Sequence, residues 1–251
     1  MERFLRTRRL IGDQSFKRLT EAHVTVVGIG AVGGYAIEAL ARSGIGHIRI
    51  VDFDTIGMTN INRQLLATES NLGKKKVEVA MNRIKDINPD CQVEALDIFA
   101  HDESMDQVLK EPIDILIDCI DSMSPKLSLL ESAYERDIRT FSSMGAALRT
   151  DPFAITHSDL MKTHTCPLAK QIRRKLKRRG VGKGIEVIYS SEQIHYTYLD
   201  PEEEEYSEFN EQVLKRGRER MVLGSLPTIT GIFGLMLGQL TIDALITDQD
   251  G

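Results

Sequence analysis

Two periodicities alternate along this chain. Short apolar runs rich in β-branched residues predict strands at 24–27, 47–51, 92–96, 113–119, 139–143, 151–156 and 185–190. Between them, apolar residues recurring every three or four positions predict helices at 35–42, 69–88, 103–109 and 125–136. In 69–88 the apolar face is Val77, Ala80, Met81, Ile84 and Ile87. Residues 1–19 read as a short basic helical lead-in, and 157–160 as a turn. Strands and helices taking turns imply an α/β fold, a Rossmann-like and mostly parallel sheet with helices on both faces.

Two stretches of the second half break this pattern. Residues 163–184, THTCPLAKQIRRKLKRRGVGKG, put Leu168, Ile172 and Leu176 at helical spacing among Lys170, Arg173, Arg174, Lys175, Lys177, Arg178, Arg179 and Lys183. This is an amphipathic basic helix, either a solvated face or a contact for a phosphate backbone. Residues 224–246, GSLPTITGIFGLMLGQLTIDALI, are the most apolar run. Their length is close to the roughly 20 residues that span a bilayer. Gln239 and Asp243, with Gly231, Gly234 and Gly238, suit instead a helix buried against the sheet or in a subunit interface, since polar groups within a span are costly. No stable membrane span is expected, though peripheral association through this segment stays open. An acidic loop at 201–205 and a polar crossover at 208–220 lie between the two stretches.

The first half carries the chemistry. After the strand at 24–27, Gly28, Gly30 and Gly33 form a G-x-G-x-x-G turn into the helix at 35–42, which Gly44 and Gly46 end. Such a turn brings backbone N–H groups and a positive helix end to a phosphate. Asp52 and Asp54 follow the second strand, where an acid accepts hydrogen bonds from a ribose. A glycine turn alone is weak evidence, but Asn60-Ile61-Asn62-Arg63-Gln64 comes next and points away from hydride transfer. Lys74, Lys75 and Lys76 head the helix at 69–88, where cations are disfavoured, which marks one of them for a ligand. Asp121, just past the strand at 113–119, is placed for a phosphate-bound Mg²⁺ or, with Ser122 or Ser124, as the cap of the next helix.

Composition narrows this further. The 251 residues, 41% hydrophobic, fit a soluble globule, and no repeat or linker divides them, so one domain over 1–251 is expected. Its 1–150 half binds nucleotide. Its 151–251 half, for substrate and dimer contacts, carries the basic helix, the crossover and the apolar helix. A net charge of −5 gives no global sign of nucleic-acid binding, which makes the basic stretch stand out. Cys91, Cys119 and Cys166 are scattered without a C-x-x-C pair, so neither a zinc site nor a disulfide framework is implied. The start, MERFLRTRRLIGDQ, lacks an apolar signal, and a cytoplasmic location is the default.

Together these residues describe attack by a carboxylate on the α-phosphate of ATP. The glycine turn and Asp52 would hold the nucleotide, Arg63 and Lys76 would meet its phosphates, and Asp121 would hold Mg²⁺. No general base is required, because a carboxylate is already ionised at neutral pH.

GIGAVG, DFD, NINRQ, GKKK and DCIDS, in that order and spacing, resemble the ThiF-type adenylating family, relatives of ubiquitin-activating enzymes. TCPLAKQIRRKLKRRG and the apolar C-terminal segment resemble its bacterial tRNA-modifying branch. The resemblance implies the ThiF-type fold with a mixed C-terminal extension. It implies a phosphate loop of Gly28, Gly30, Ala31 and Gly33, a ribose acid at Asp52 with Asp54 as second acid, and nucleotide contacts from Asn60, Asn62, Gln64 and Ser122. The catalytic group would be Arg63, Lys76 and the Mg²⁺ acid Asp121. Arg9, closing an R-x-x-R pattern with Arg6, would enter a partner subunit's site, making a homodimer with composite ATP sites. The implied reaction is ATP-dependent dehydration of N6-threonylcarbamoyladenosine in tRNA to its cyclic hydantoin form. Lys170, Arg173, Arg174, Lys177 and Arg178 would meet the tRNA. A monovalent cation ordering a loop and a sulfur-transfer protein partner also belong to what the family admits.

Three other readings compete. An enzyme adenylating the C-terminal glycine of a ubiquitin-like sulfur carrier would share the first half, but the basic helix would serve it poorly. It is also disfavoured by the missing cysteine pairs and by the want of a clear conjugating cysteine. Cys119, in an apolar strand, and Cys166 read as packed residues. A scaffold that only keeps the nucleotide fold would have no use for Arg63, Lys76 and Asp121. An NAD-dependent oxidoreductase would need a catalytic His or Tyr-Lys pairing that is not evident.

Overall fold

The computed structural model describes residues 2–194 and 223–247. Strands β1 (His23–Val27), β2 (His47–Val51), β3 (Gln92–Leu96), β4 (Ile115–Asp118), β5 (Thr140–Ser143), β6 (Ile155–Asp159) and β7 (Ile185–Ser190) form one sheet of order β3-β2-β1-β4-β5-β7-β6. All pairs are parallel except β6 with β7, which is antiparallel at the edge. The central parallel strands are buried along their length because both of their faces are covered, whereas β3, at the edge, stays partly exposed and alternates Gln92 and Glu94 with Val93 and Ala95. The helices are α1 (Leu5–Ile11), α2 (Asp13–Glu21), α3 (Gly33–Ser43), α4 (Lys76–Ile87), α5 (Met105–Val108), α6 (Met123–Glu135), α7 (Pro167–Arg178) and α8 (Pro227–Ile246).

Side chains alternate across the sheet as the pleat requires. Val24, Val26, Ile48, Ile50, Ile115 and Ile117 point into one core, closed by α3, α4 and α8. Val27, Val51 and Leu116 point to the other face, with Val108 of α5 and Leu129 and Ala133 of α6. Further along that face, Ile172 and Leu176 of α7 meet Leu127 and Leu130 of α6 over Val187 of β7.

α8 is long and apolar enough to cross a membrane by length and composition. One face of it is laid along α3, with 44% of its apolar stretch buried, while Leu235 on the other face stays exposed. A Cβ at Gly234 would fall 2.3 Å from the Val32 carbonyl oxygen, and one at Gly238 would fall 2.7 Å from the Ala39 Cβ. Ile229, Phe233 and Leu237 are fully buried beside these contacts.

Three expectations are corrected. The helix expected from 69 begins at Lys76. Residues Glu69–Asn71 form a separate 3-10 turn, and Lys75 bridges to Thr55 in extended conformation. The strand expected at 151–156 lies at Ile155–Asp159, so residues 157–159, expected in a turn, are strand; Asp151 caps a 3-10 turn at Pro152–Ala154 through Phe153 N–H and pushes the strand downstream. The basic lead-in is two helices, broken at Gly12 with φ +82°. The acidic loop and the polar crossover at 201–205 and 208–220 fall outside the described residues.

Candidate active site

Strand order reverses between β1 and β4: the chain leaves β1 towards β2 and returns on the other side. Ligands of open α/β sheets bind at the carboxyl ends of the strands at such a point. Three connections meet there.

The first follows β1. Gly28 has φ +90°, and a Cβ on it would fall 2.9 Å from the carbonyl carbon and oxygen of Cys119. A Cβ on Gly33 would fall 1.9 Å from the Gly28 oxygen, so both glycines are demanded by the loop itself. Gly30 differs: the nearest atom to its virtual Cβ is Nε2 of Gln64 at 3.9 Å. No packing demands a glycine there, which fits close approach of a ligand. No side chain caps the start of α3; Gly34 N–H donates to the Gly30 carbonyl and Tyr35 and Ala36 N–H to that of Val32, so the positive helix end and the N–H groups of the turn before Gly34 are what suit an anion.

The second connection follows β2. Asp52 is buried, with Oδ2 accepting from the Ile29 N–H at 2.6 Å and Oδ1 from the Asp54 N–H at 2.9 Å. Its carboxylate therefore ties the phosphate loop to the turn after β2. Burial pushes the Asp52 carboxyl above the usual aspartate value, the Lys76 charge opposes this, and Asp54 adds to it.

The structure separates the three lysines. Lys76 is 5% exposed, with Nζ 2.7 Å from Asp54 Oδ2 and 4.0 Å from Asp52 Oδ1. Lys75 turns to Asp97 at 3.0 Å, and Lys74 to Asn71 at 3.1 Å. Only Lys76 joins the Asp52 cluster. The aspartates also resolve the conflict of a cation in the first turn of α4.

Residues 57–65 cover the glycine turn. Asn60 is buried, and its Oδ1 accepts from the Gly57 N–H at 3.0 Å, so it shapes this turn. Gln64 is buried over Gly30. Arg63 donates through Nη1 to the Thr59 carbonyl at 2.8 Å and to Asn62 Oδ1 at 2.9 Å. Its Nε and Nη2 make no hydrogen bond among the described residues, leaving donors for a phosphate. Asn62 also reaches the Ser225 carbonyl just before α8.

The third connection follows β4. Asp121 is exposed, and its Oδ1 accepts from the Ser122 hydroxyl at 3.1 Å. Ser122 holds the N-cap position of α6 without a side-chain capping hydrogen bond. The described residues contain no group of three or more His, Cys, Asp or Glu able to hold a metal. One exposed carboxylate suits Mg²⁺ that takes its other ligands from phosphates and water.

Sequence reasoning missed what supports this loop. Asp118 and Lys126 form an ion pair at 2.6 Å, both side chains fully buried. Lys126 was legible only as a lysine on an otherwise apolar helix face.

The remaining candidates lie elsewhere. Arg9 is exposed in the last turn of α1, without hydrogen bond or ion pair among the described residues. On α7, Lys170, Arg174, Lys177 and Arg178 are exposed. Arg173 is not: its Nη1 donates to the Thr163 carbonyl and hydroxyl, fixing the entry to the helix. Cys166 is buried, and burial pushes the Cys119 thiol far above the ordinary range, with Asp118 adding to it. Cys119 is half-buried, and a thiol held protonated in this way is a poor nucleophile, in keeping with a packed residue.

This sheet, the glycine turn and the Asp52–Asp54–Lys76 cluster behind it define a class. The chain belongs to the ThiF family, whose model matches residues 3–250. It is 38% identical over 248 residues to the tRNA threonylcarbamoyladenosine dehydratase of Bacillus subtilis (strain 168), covering 99% of this chain and 96% of that protein. It is similar to the solved Escherichia coli tRNA N6-threonylcarbamoyladenosine dehydratase, TcdA, in complex with ATP, with 34% identity and a TM-score of 0.84 over 97% of this chain and 93% of that one. Similarity to the molybdopterin-synthase adenylyltransferase of Salmonella typhimurium is 32% over 133 residues, 53% of this chain and 52% of that protein.

Proposed function

We propose that this protein is an ATP-dependent tRNA threonylcarbamoyladenosine dehydratase. The observation that carries the reading is kinship to such enzymes along nearly the whole chain, second half included. The molybdopterin-synthase adenylyltransferase matches about half of it.

The site's residues suit the chemistry in order. The glycine turn, the positive end of α3 and Asp52 hold ATP with its ribose on the acid. The threonyl carboxylate attacks the α-phosphorus, an O–P bond forms, and the bond to the β-phosphate oxygen breaks. Arg63 and Lys76 take up the charge that spreads onto the phosphoryl oxygens and the departing pyrophosphate. Asp121 would hold Mg²⁺, which when bound would supply Lewis-acid neutralisation of those phosphates. A nitrogen of the same modification then attacks the activated carbonyl, loses its proton and expels AMP, closing the hydantoin ring with net loss of one water. Because that attack is intramolecular, no thioester cysteine is needed. Arg9, exposed on α1, is the residue to enter the site of a second copy, in a homodimer of composite sites. The exposed cations of α7 are the surface for the tRNA backbone. A cytoplasmic location completes the reading.

The test is mass spectrometry of nucleosides from tRNA carrying the modification, incubated with ATP and the protein. The expected result is a mass lower by one water, with AMP and pyrophosphate formed only when that tRNA is present. Unchanged threonylcarbamoyladenosine overturns the proposal, and ATP–pyrophosphate exchange driven by a carrier protein replaces it with the second reading.

A further inference from the structure

The loop that carries Asp121 is held by charges that never reach solvent. Asp118, the last residue of β4, and Lys126, in the first turn of α6, are each fully buried and 2.6 Å apart. Burying both charges is costly, and placing a cation at the start of a helix adds to the cost. An apolar pair would fill the same space more cheaply. The pair makes bonds that an apolar pair could not. Asp118 Oδ1 accepts from the Ile120 N–H at 3.0 Å, and Lys126 Nζ donates to the Ile120 carbonyl at 2.9 Å. Asp118 Oδ2 also accepts from the Ser142 hydroxyl of β5 at 2.7 Å. The peptide groups on both sides of Ile120 are thus pinned. On its other flank the Cys119 N–H donates to the Val27 carbonyl at 2.8 Å, beneath Gly28.

We propose that Asp118, Lys126 and Ser142 are positioning residues that fix the Ile120 backbone and so aim Asp121 at the metal-bearing side of the nucleotide. The pair is neutral as a whole, so it fixes the loop without altering the charge that Asp121 presents. The inference rests on Asp121 as the metal-side acid, as in the proposed function, but its test uses no tRNA.

The test uses the full chain and Mn²⁺ as the probe, its affinity read by electron paramagnetic resonance with α,β-methylene-ATP bound. The double variant Asp118→Leu/Lys126→Met removes both charges at once and leaves no lone buried ion. It should keep a cooperative melt and its affinity for the analogue measured without metal, while Mn²⁺ affinity falls about 10- to 100-fold. Exchange of the Ile120 amide hydrogen should speed up in parallel. The amide pair Asp118→Asn/Lys126→Gln, which can remake the bonds to Ile120, should restore most of both. Ser142→Ala, which removes only the bond to Asp118, should show a smaller loss of the same kind and serves if the double variant does not fold. Wild-type Mn²⁺ affinity and wild-type Ile120 protection in the folded variants overturn the inference. So does an amide pair as impaired as the apolar one. A wild-type protein inert on tRNA, with Mn²⁺ lost in the variants, overturns the proposed function and leaves this inference standing.

Discussion

Lys76→Met separates the catalytic from the structural use of the site. Lys76 is 5% exposed and contacts Asp54 at 2.7 Å and Asp52 at 4.0 Å. Removing one member of a fully buried pair costs about 3–5 kcal/mol. The Asp54 side chain is 46% exposed, so water screens its charge and the loss of stability should be nearer 1–2 kcal/mol. Losing one charged donor to the transferring group should lower kcat by about 10²–10³. The kinetic loss therefore exceeds the structural one, and urea unfolding beside pyrophosphate release distinguishes them. The variant also has a signature in pH. Burial raises the Asp52 carboxyl and Lys76 opposes it, so deleting the lysine raises it further. ATP affinity that depends on ionised Asp52 is lost as pH falls through that pKa, and the acid limb must move to higher pH in the variant. An acid limb that stays in place, or a stability loss as large as the kinetic one, refutes this account of Lys76.

Gly28→Ala should cost at least about 1–2 kcal/mol from φ alone, and more from the Cβ forced onto the Cys119 backbone, measured as a lower urea midpoint. An unchanged midpoint would show that the loop gives way. Charge reversal at Arg174 and Lys177 should weaken tRNA binding and flatten its salt dependence by about one unit of slope for each phosphate no longer neutralised, whereas Arg173→Ala should lower stability and leave the slope alone. Filter binding across a salt series checks both; a slope that falls with Arg173 and not with the other two would move the interface. Burial alone would raise the Glu192 carboxyl, but the N–H groups of Asp151 and Thr150, the Thr150 hydroxyl and the Arg149 charge hold it below its ordinary value. Its contribution to stability is therefore present above about pH 4.5 and lost as pH falls through the depressed value, and Glu192→Gln should show a shallower acid loss in denaturation between pH 6 and 3.

Elements whose pattern is local were legible. The runs at 47–51, 92–96 and 185–190 are strands with those bounds, because each sets apolar residues at alternate or successive positions between turn residues, a signal that needs no distant partner. The start of α4 was not legible, since the residues before it pair with the turn after β2, a pairing no periodicity records. β6 was displaced for a similar reason. It is an antiparallel edge strand in which His157 and Ser158 stay polar, and its register comes from β7. Among site residues, the glycine turn, Asp52 and Lys76 stand together because each is fixed by its place at a strand or helix end. Arg173 and Lys126 were hidden, because a sequence reads a basic side chain as surface unless its partner, here Thr163 or Asp118, is known.

The packing of α8 on α3 has a consequence for how the protein is made. Arg18 donates to the carbonyl of Ile246, 228 positions away, and Gly234 seats on the first turn of α3, the helix that follows the glycine turn. During synthesis the chain emerges from its amino end, so the nucleotide cradle spends most of translation without the helix that backs it. Contacts of such separation close late and slowly. Until α8 arrives, α3 presents an apolar flank to the cell, and the ribosome-bound nascent chain should depend on chaperones over that interval. ATP, which needs the finished loop, then acts only after the chain has closed on itself.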